Sequence, residues 1–238
     1  MSEITEKIKQ ELLIRCEKSK EKDGYDFWNE HIKYVVENGI ELAKKYGADI
    51  EIVELGALLH DIAMPSEYGE REQHHIYGAE IAEQLLTELN YPKERIEQVK
   101  NCVLNHRGSK DRPRNTIEEQ CVADADVIAH FDCIPSLFSL VYKEMKLSIS
   151  DGKEYVRRKL ERDYNKLSPK TRELLKDRYK NIIEVLFVNW LYIRDCIFEK
   201  LQEYNGLVTR KPNDLNFKKG LISSDWKNST LQYLHNMI

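Results

Sequence analysis

Glycine and proline are scarce in this chain of 238 residues, at 10 and 6. Turn-dense β-architectures spend both residues at their corners, so the shortage points to long helices. Cysteine is also sparse. Cys16, Cys102, Cys121, Cys133 and Cys196 are odd in number, far apart and never in a C-x-x-C pair. That spacing argues against a disulfide framework and a thiolate zinc site, and suits small buried apolar residues. No apolar run reaches the roughly 20 residues of a membrane span. The richest, over 182–197, is broken by Glu184, Asn189, Arg194 and Asp195. The opening MSEITEKIKQELLIRCEK lacks the apolar core of a signal peptide, so a cytoplasmic location is expected. Neither sign of charge prevails. The 37 basic and 41 acidic residues leave a net charge of -4, with no general attraction to nucleic acid or an anionic membrane.

What the chain does have is helical periodicity. With 41% hydrophobic and 33% charged residues it is composed as a globular protein. The spacing predicts helices over about 3–20, 26–46, 49–63, 74–89, 92–106, 117–130, 135–146 and 151–166. A last helix opens at Ser168-Pro169, an N-cap followed by proline at the first helical position, and reaches about 204. The stretch 49–63 is nearly apolar (Ile52, Leu55, Leu58, Leu59, Ile62), as a central helix must be. No strand is needed, and the expected fold class is all-α. We expect one helical domain over 1–205, with its motifs in 26–145 and a helical extension over 146–205. A more polar tail follows over 206–238 and packs on the surface or on a partner. Apolar residues of the first helix and of the tail (Leu221, Trp226, Leu231, Tyr233) offer a surface for a homodimer.

The chemistry lies in the histidines. Six of the seven fall between positions 31 and 130. Asp126 shares a helical face with Val122, Ala129 and Cys133, where an ionised carboxylate needs a partner or a cation. Asp124 points elsewhere. His31 shares a face with Val35 and Leu42, and His60-Asp61 end the most apolar helix. Two imidazoles and two carboxylates make a mixed nitrogen and oxygen set that suits several divalent metals without selecting one. His106 lies at a helix end, on a face with Val99, Cys102 and Val103. Arg107, Lys110, Arg112 and Arg114 follow it with a single acid, Asp111; such a loop can bind phosphate or can simply be a solvated charged surface. His130, one turn after Asp126, either faces a substrate or closes its helix.

In order and context these residues resemble the HD-domain superfamily of metal-dependent phosphohydrolases. The resemblance covers about 26–145. It reads as His31 in WNEHIKYVVENGIELAKKYG, His60-Asp61 in IVELGALLHDIA and Asp126 in EEQCVADADVIAHF, with HHIYGAEIAEQLL and VLNHRG between them. It implies a helical bundle with a metal site between central helices. His31, His60, Asp61 and Asp126 then take the four metal-ligand positions. The ion is divalent: manganese, iron, cobalt, nickel, zinc or magnesium. His74 or His75, together with His106, would serve a second metal or the substrate phosphate. Arg107, Lys110, Arg114 and His130 would meet that phosphate.

The implied activity is hydrolysis of a nucleotide or another small phosphate ester by a metal-activated water. Asp61 would orient the water, and His74, His75 or His106 would protonate the leaving oxygen. Phosphomonoester, pyrophosphate and phosphodiester cleavage all stay open. The alternative is a metal- or nucleotide-binding regulatory module of the same fold without turnover.

Overall fold

The computed structural model describes residues 2–107 and 113–187. Among them every regular element is helical. The order is α1 (Glu3–Asp23), a π-helical turn (Trp28–Ile32), α2 (Lys33–Tyr46), α3 (Ile50–Leu59), a 3₁₀ turn (Arg71–Gln73), α4 (His74–Glu88) and α5 (Lys93–Asn105). Then come α6 (Ile117–Asp132), α7 (Ile134–Ser139), a second π turn (Leu140–Glu144), α8 (Ile149–Lys166) and α9 (Pro169–Phe187). The expected continuation to 204, the tail over 206–238 and Lys110 lie outside the described residues.

The helix starts follow from capping. Asp49 accepts from the Ile52 N–H at 3.1 Å to open α3, and Thr116 accepts from the Glu119 N–H at 3.2 Å to open α6. Ser148 does the same for α8 through the Asp151 N–H at 3.1 Å. Gly47, at φ 72°, closes α2 in the left-handed conformation that costs glycine nothing.

Three segments differ from simple periodicity, and two of them bear on the site. The expected helix over 26–46 begins as a π turn holding His31, and such turns insert an extra residue into the helical register. The helix expected over 49–63 stops at Leu59. Beyond it, i→i−3 bonds (Ile62 N–H to Leu59 O at 3.1 Å, Met64 N–H to Asp61 O at 2.9 Å) tighten the chain. Pro65 is the cause, because it disfavours helical backbone at Met64 and has no N–H to donate. His60 and Asp61 thus sit on a tight turn at the end of the central helix. The third difference is α7, which gives way to a π turn after Ser139.

Helix α3 is the centre of the first core, packed against α1, α2, α5 and α6. Eight of its ten residues are buried. Each fully buried leucine or isoleucine there contributes about 1.5–3 kcal/mol relative to exposure. Gly56 allows the close approach: a Cβ on it would lie 2.8 Å from Cys102 Cβ on α5 and 3.0 Å from Val122 Cγ2 on α6. A second core gathers Val127 and Phe131 of α6 with Leu137, Val141, Val156, Leu160 and Leu167. Helix α6 therefore belongs to both cores, and this brings α8 beside the end of the bundle where α3 and α5 stop. Among the described residues no single helix is long and apolar enough to cross a membrane.

Candidate metal centre

The functional side chains converge at one end of the bundle. His60 and Asp61 follow α3, His106 follows α5, His74 begins α4, His31 lies in the first π turn and Asp126 lies in α6. Two groups result. His31, His60 and Asp126 offer ligand atoms within 4.8 Å of one another, and so do Asp61, His74 and His106. In the first group His31 Nε2 lies 3.1 Å from His60 Nε2 and 3.2 Å from Asp126 Oδ1, and the His60–Asp126 separation is 4.0 Å. In the second, Asp61 Oδ1 lies 3.1 Å from His74 Nε2 and 3.7 Å from His106 Nε2, and the two imidazole nitrogens are 3.2 Å apart. Ligand atoms about 2.0–2.2 Å from one ion are themselves roughly 3.0–3.5 Å apart. Most of these spacings match.

Local hydrogen bonds fix which nitrogen faces inward. His60 Nδ1 lies 2.8 Å from the Ala57 carbonyl, His74 Nδ1 2.7 Å from that of Arg71, and His106 Nδ1 2.7 Å from that of Val103. Each ring curls back three residues at a helix end. A carbonyl only accepts, so each Nδ1 is the donor and each neutral Nε2 presents a lone pair. His74 and His106 then aim lone pairs at each other across 3.2 Å. Such a pair needs a cation between its members, either a proton or a metal ion. Carbonyl partners of this kind are the usual support of metal-bound histidines. The donor set and its tautomers fit a divalent metal.

The charges agree. Burial opposes ionisation of Asp61, yet His60 and His74 outweigh it and hold the carboxyl well below the usual carboxylate range. Asp126 is held low in the same way, against burial, by its hydrogen bond with His31 and the proximity of His130. Burial also opposes charge on His60, but Asp61 and Asp126 carry its pKa up to about 9. His106 moves the other way, down to about 3, through burial and the neighbouring His60 charge.

The cluster forms the floor of a cavity of ≈ 450 Å³. His31, Asp61, His74, His106, Asp126 and His130 line it. Among the described residues the cations Arg71, Arg107, Lys159 and Lys166 also face it, as do the acids Asp23, Glu30, Glu72 and Glu144. Apolar side chains of Phe27, Val127, Leu137 and Leu140 line it as well. Tyr25 and Ser136, hydrogen-bonded at 2.7 Å, tie the segment before the π turn to α7 at its edge.

The sequence-derived residues separate here. His31, His60, Asp61 and Asp126 meet, and His74 and His106 join them. His75 is adjacent to His74, ring centroids 5.8 Å apart, but is not among the described residues lining the cavity. Arg107 lines it while bonding the Glu72 carbonyl. Arg114 donates to the Lys166 carbonyl at 3.0 Å and the His106 carbonyl at 3.5 Å, and is not among the described lining residues. Sequence reasoning missed Arg71, Lys159, Asp163 and Lys166. Arg71 lies three residues before His74, while the only signal of Lys159, Asp163 and Lys166 is charge on a helix far along the chain from the clustered histidines.

Residues 29–130, which carry every histidine of this cluster, match the model of the HD domain. That segment of the chain is an HD-like domain. Solved HD-type structures share its fold. A predicted HD superfamily hydrolase from an uncultured Thermotogales bacterium superposes with a TM-score of 0.51 at 20% identity, covering 80% of this chain and 91% of that one. Bacillus subtilis YpgQ gives a TM-score of 0.58 at 18% identity, covering 85% and 95%. YpgQ in complex with ADP gives 0.54 at 19% identity, covering 84% and 97%. An uncharacterized protein of Clostridium beijerinckii is 35% identical over 71 residues, which are 30% of this chain. The chain spans only 45% of that relative's length. HD domains are metal-dependent, and the histidine and aspartate groups of this segment could hold a metal ion.

Proposed function

We propose that this protein is a metal-dependent phosphohydrolase of nucleotides or other small phosphate esters. One observation carries the reading: two histidine–carboxylate groups, with Asp61 of the second only 3.5 Å from His60 of the first, lie on the floor of a cavity that Arg71, Arg107, Lys159 and Lys166 face. His31, His60, Asp61 and Asp126 would hold one divalent ion, and Asp61, His74 and His106 a second. When bound, such ions lower the pKa of a coordinated water and polarise a phosphoryl oxygen.

The chain's own groups would do the rest. Asp61 would orient the attacking water by accepting a hydrogen bond from its O–H. Arg71 and Arg107 offset the charge of the phosphoryl oxygens, a role for which planar guanidinium donors are suited. The carbonyls of Ala57, Arg71 and Val103 keep the three imidazoles from turning. The apolar lining offers a surface for a flat organic group such as a base, and the YpgQ complex with ADP supports a nucleotide.

The test is direct. The untagged protein is purified and its metal content measured. It is then assayed with a panel of nucleotides and phosphate esters in added manganese, cobalt or nickel. Turnover that disappears with metal in Asp61→Ala is expected. Metal retained without turnover on any ester would favour the regulatory module. No metal under any condition would sink both readings.

A further inference from the structure

Helix α8 lies beyond the residues that match the HD model, yet Lys159, Asp163 and Lys166 of this helix line the cavity. Asp163 is the odd one. Its carboxylate is 3% exposed, a placement that is costly without partners. It has three. His130 Nδ1 lies 3.1 Å away, Lys159 Nζ 2.8 Å and Lys166 Nζ 3.4 Å. Against the effect of burial, the His130 and Lys159 contacts hold this carboxyl well below the usual range.

The arrangement reaches the metal cluster through one ring. Asp163 Oδ2 lies 3.1 Å from His130 Nδ1, an ion-pair distance without the alignment of a hydrogen bond, and its charge favours a proton on that nitrogen. That ring stacks on His31, with centroids 5.3 Å apart and planes 17° apart. It also follows Asp126 by one turn of α6. Two ammonium groups around one carboxylate leave that trio with a net positive charge, on a wall that Glu144 also lines. An ammonium has three N–H donors, and Lys159 spends one on Asp163. The others are available to an anion in the cavity.

We propose that Lys159 contacts a substrate phosphate, and that Asp163 is a positioning residue that holds Lys159 and His130 beside the metal cluster. Helix α8 thereby completes the active site from outside the HD-matched segment. The inference rests on the phosphohydrolase reading for its substrate, but its first test needs no turnover.

Inorganic phosphate is titrated into the manganese-loaded full chain and followed by calorimetry. Lys159→Gln should weaken phosphate binding about tenfold, the loss of one hydrogen bond to a charged group, and Lys159→Arg should restore most of it. Asp163→Asn should weaken it by a similar factor while both variants keep the wild-type metal content. With a turned-over ester, Asp163→Asn should raise KM more than it lowers kcat, a split that a merely structural role would not produce. Unchanged phosphate affinity in Lys159→Gln, or no phosphate binding by the loaded wild type, overturns the proposal. Unchanged affinity in Asp163→Asn overturns the positioning role. Lys159→Gln changes a partly exposed side chain, so it remains a test should Asp163→Asn fail to fold. Phosphate binding without hydrolysis of any ester would defeat the phosphohydrolase reading and leave this one standing.

Discussion

Asp61 turns its two oxygens toward two different histidine pairs. Oδ2 lies 3.5 Å from His60 Nε2 and 3.7 Å from His31 Nε2, while Oδ1 lies 3.1 Å from His74 Nε2 and 3.7 Å from His106 Nε2. A carboxylate placed so would help to hold an ion at each of the two groups. Metal content should then follow the residues stepwise. Asp61→Ala should lose nearly all bound metal. His74→Ala should lose about one ion of two, and His75→Ala should lose none. Elemental analysis of the untagged variants after equilibration with manganese decides it. Equal content in His74→Ala and wild type would contradict the second ion.

The same cluster gives the metal-free protein a distinctive pH dependence. His60 is raised in the fold to about 9 from its ordinary 6.5, and His74 is raised as well, in both cases because Asp61 outweighs burial. Both contributions are full below 6.5; that of His60 is lost as pH climbs through about 9, and that of His74 is lost as pH rises through its own raised value. His106 is depressed to about 3, so its contribution is full above 6.5 and is lost as pH falls toward 3. Asp61 and Asp126 are depressed too, and their contributions fade below the ordinary carboxylate range. Chelator-treated protein should therefore lose melting temperature between pH 6.5 and 9. Manganese-loaded protein should lose much less over that interval, because the ion takes the place of the proton. Parallel melting curves in both states would show that no ion occupies the cluster.

Much of this site was legible in the sequence, and the rest was hidden for physical reasons. Periodicity put His31 and Asp126 on inward faces, His60-Asp61 ended the most apolar helix, and the order of the motifs joined the four. The central position of α3 followed from its nearly unbroken apolar run. The choice between His74 and His75 was not legible, because neighbouring residues at a helix start differ only in direction. The 3₁₀ turn over Arg71–Gln73, with its carbonyl at Arg71, selects His74. Arg114 was read as a phosphate contact, but a guanidinium's chemistry does not reveal whether it reaches solvent or a backbone carbonyl. Lys159 and Asp163 were invisible because only the shared second core of α6 and α8 brings them to the cavity. An i,i+4 Lys–Asp pair on a helix otherwise reads as ordinary surface charge.

Asp124 and Asp126 offer a contrast within one helix. Asp124 is fully buried and accepts from the Ser168 N–H at 3.0 Å and the Ser168 hydroxyl at 2.6 Å, tying α6 to the start of α9. Asp126 faces the cavity beside His31. Asp124→Ala should cost about 1–3 kcal/mol, since it leaves buried donors unsatisfied, and should keep the wild-type metal content. Asp126→Ala should lose metal. Urea unfolding and elemental analysis on the two variants separate the roles, and metal loss in Asp124→Ala with its fold intact would refute the assignment.

Gly56 tests whether the packing of α3 sets the site. Alanine there gains helix propensity of about 0.5–1 kcal/mol. Against that, its Cβ would stand 2.8 Å from Cys102 Cβ, an atom fixed to the α5 backbone that cannot swing aside. Overpacking of this kind costs about 1–3 kcal/mol. The clash should prevail, leaving Gly56→Ala less stable than wild type by about 1–2 kcal/mol in urea, with an unchanged m-value. Relief requires α3 to move away from α5, and His60 and His106 sit at the ends of those two helices. Manganese affinity should therefore fall along with stability, although no ligand has been altered. A stable Gly56→Ala with normal metal affinity would show that the close approach of α3 and α5 is not what holds the two histidines in register.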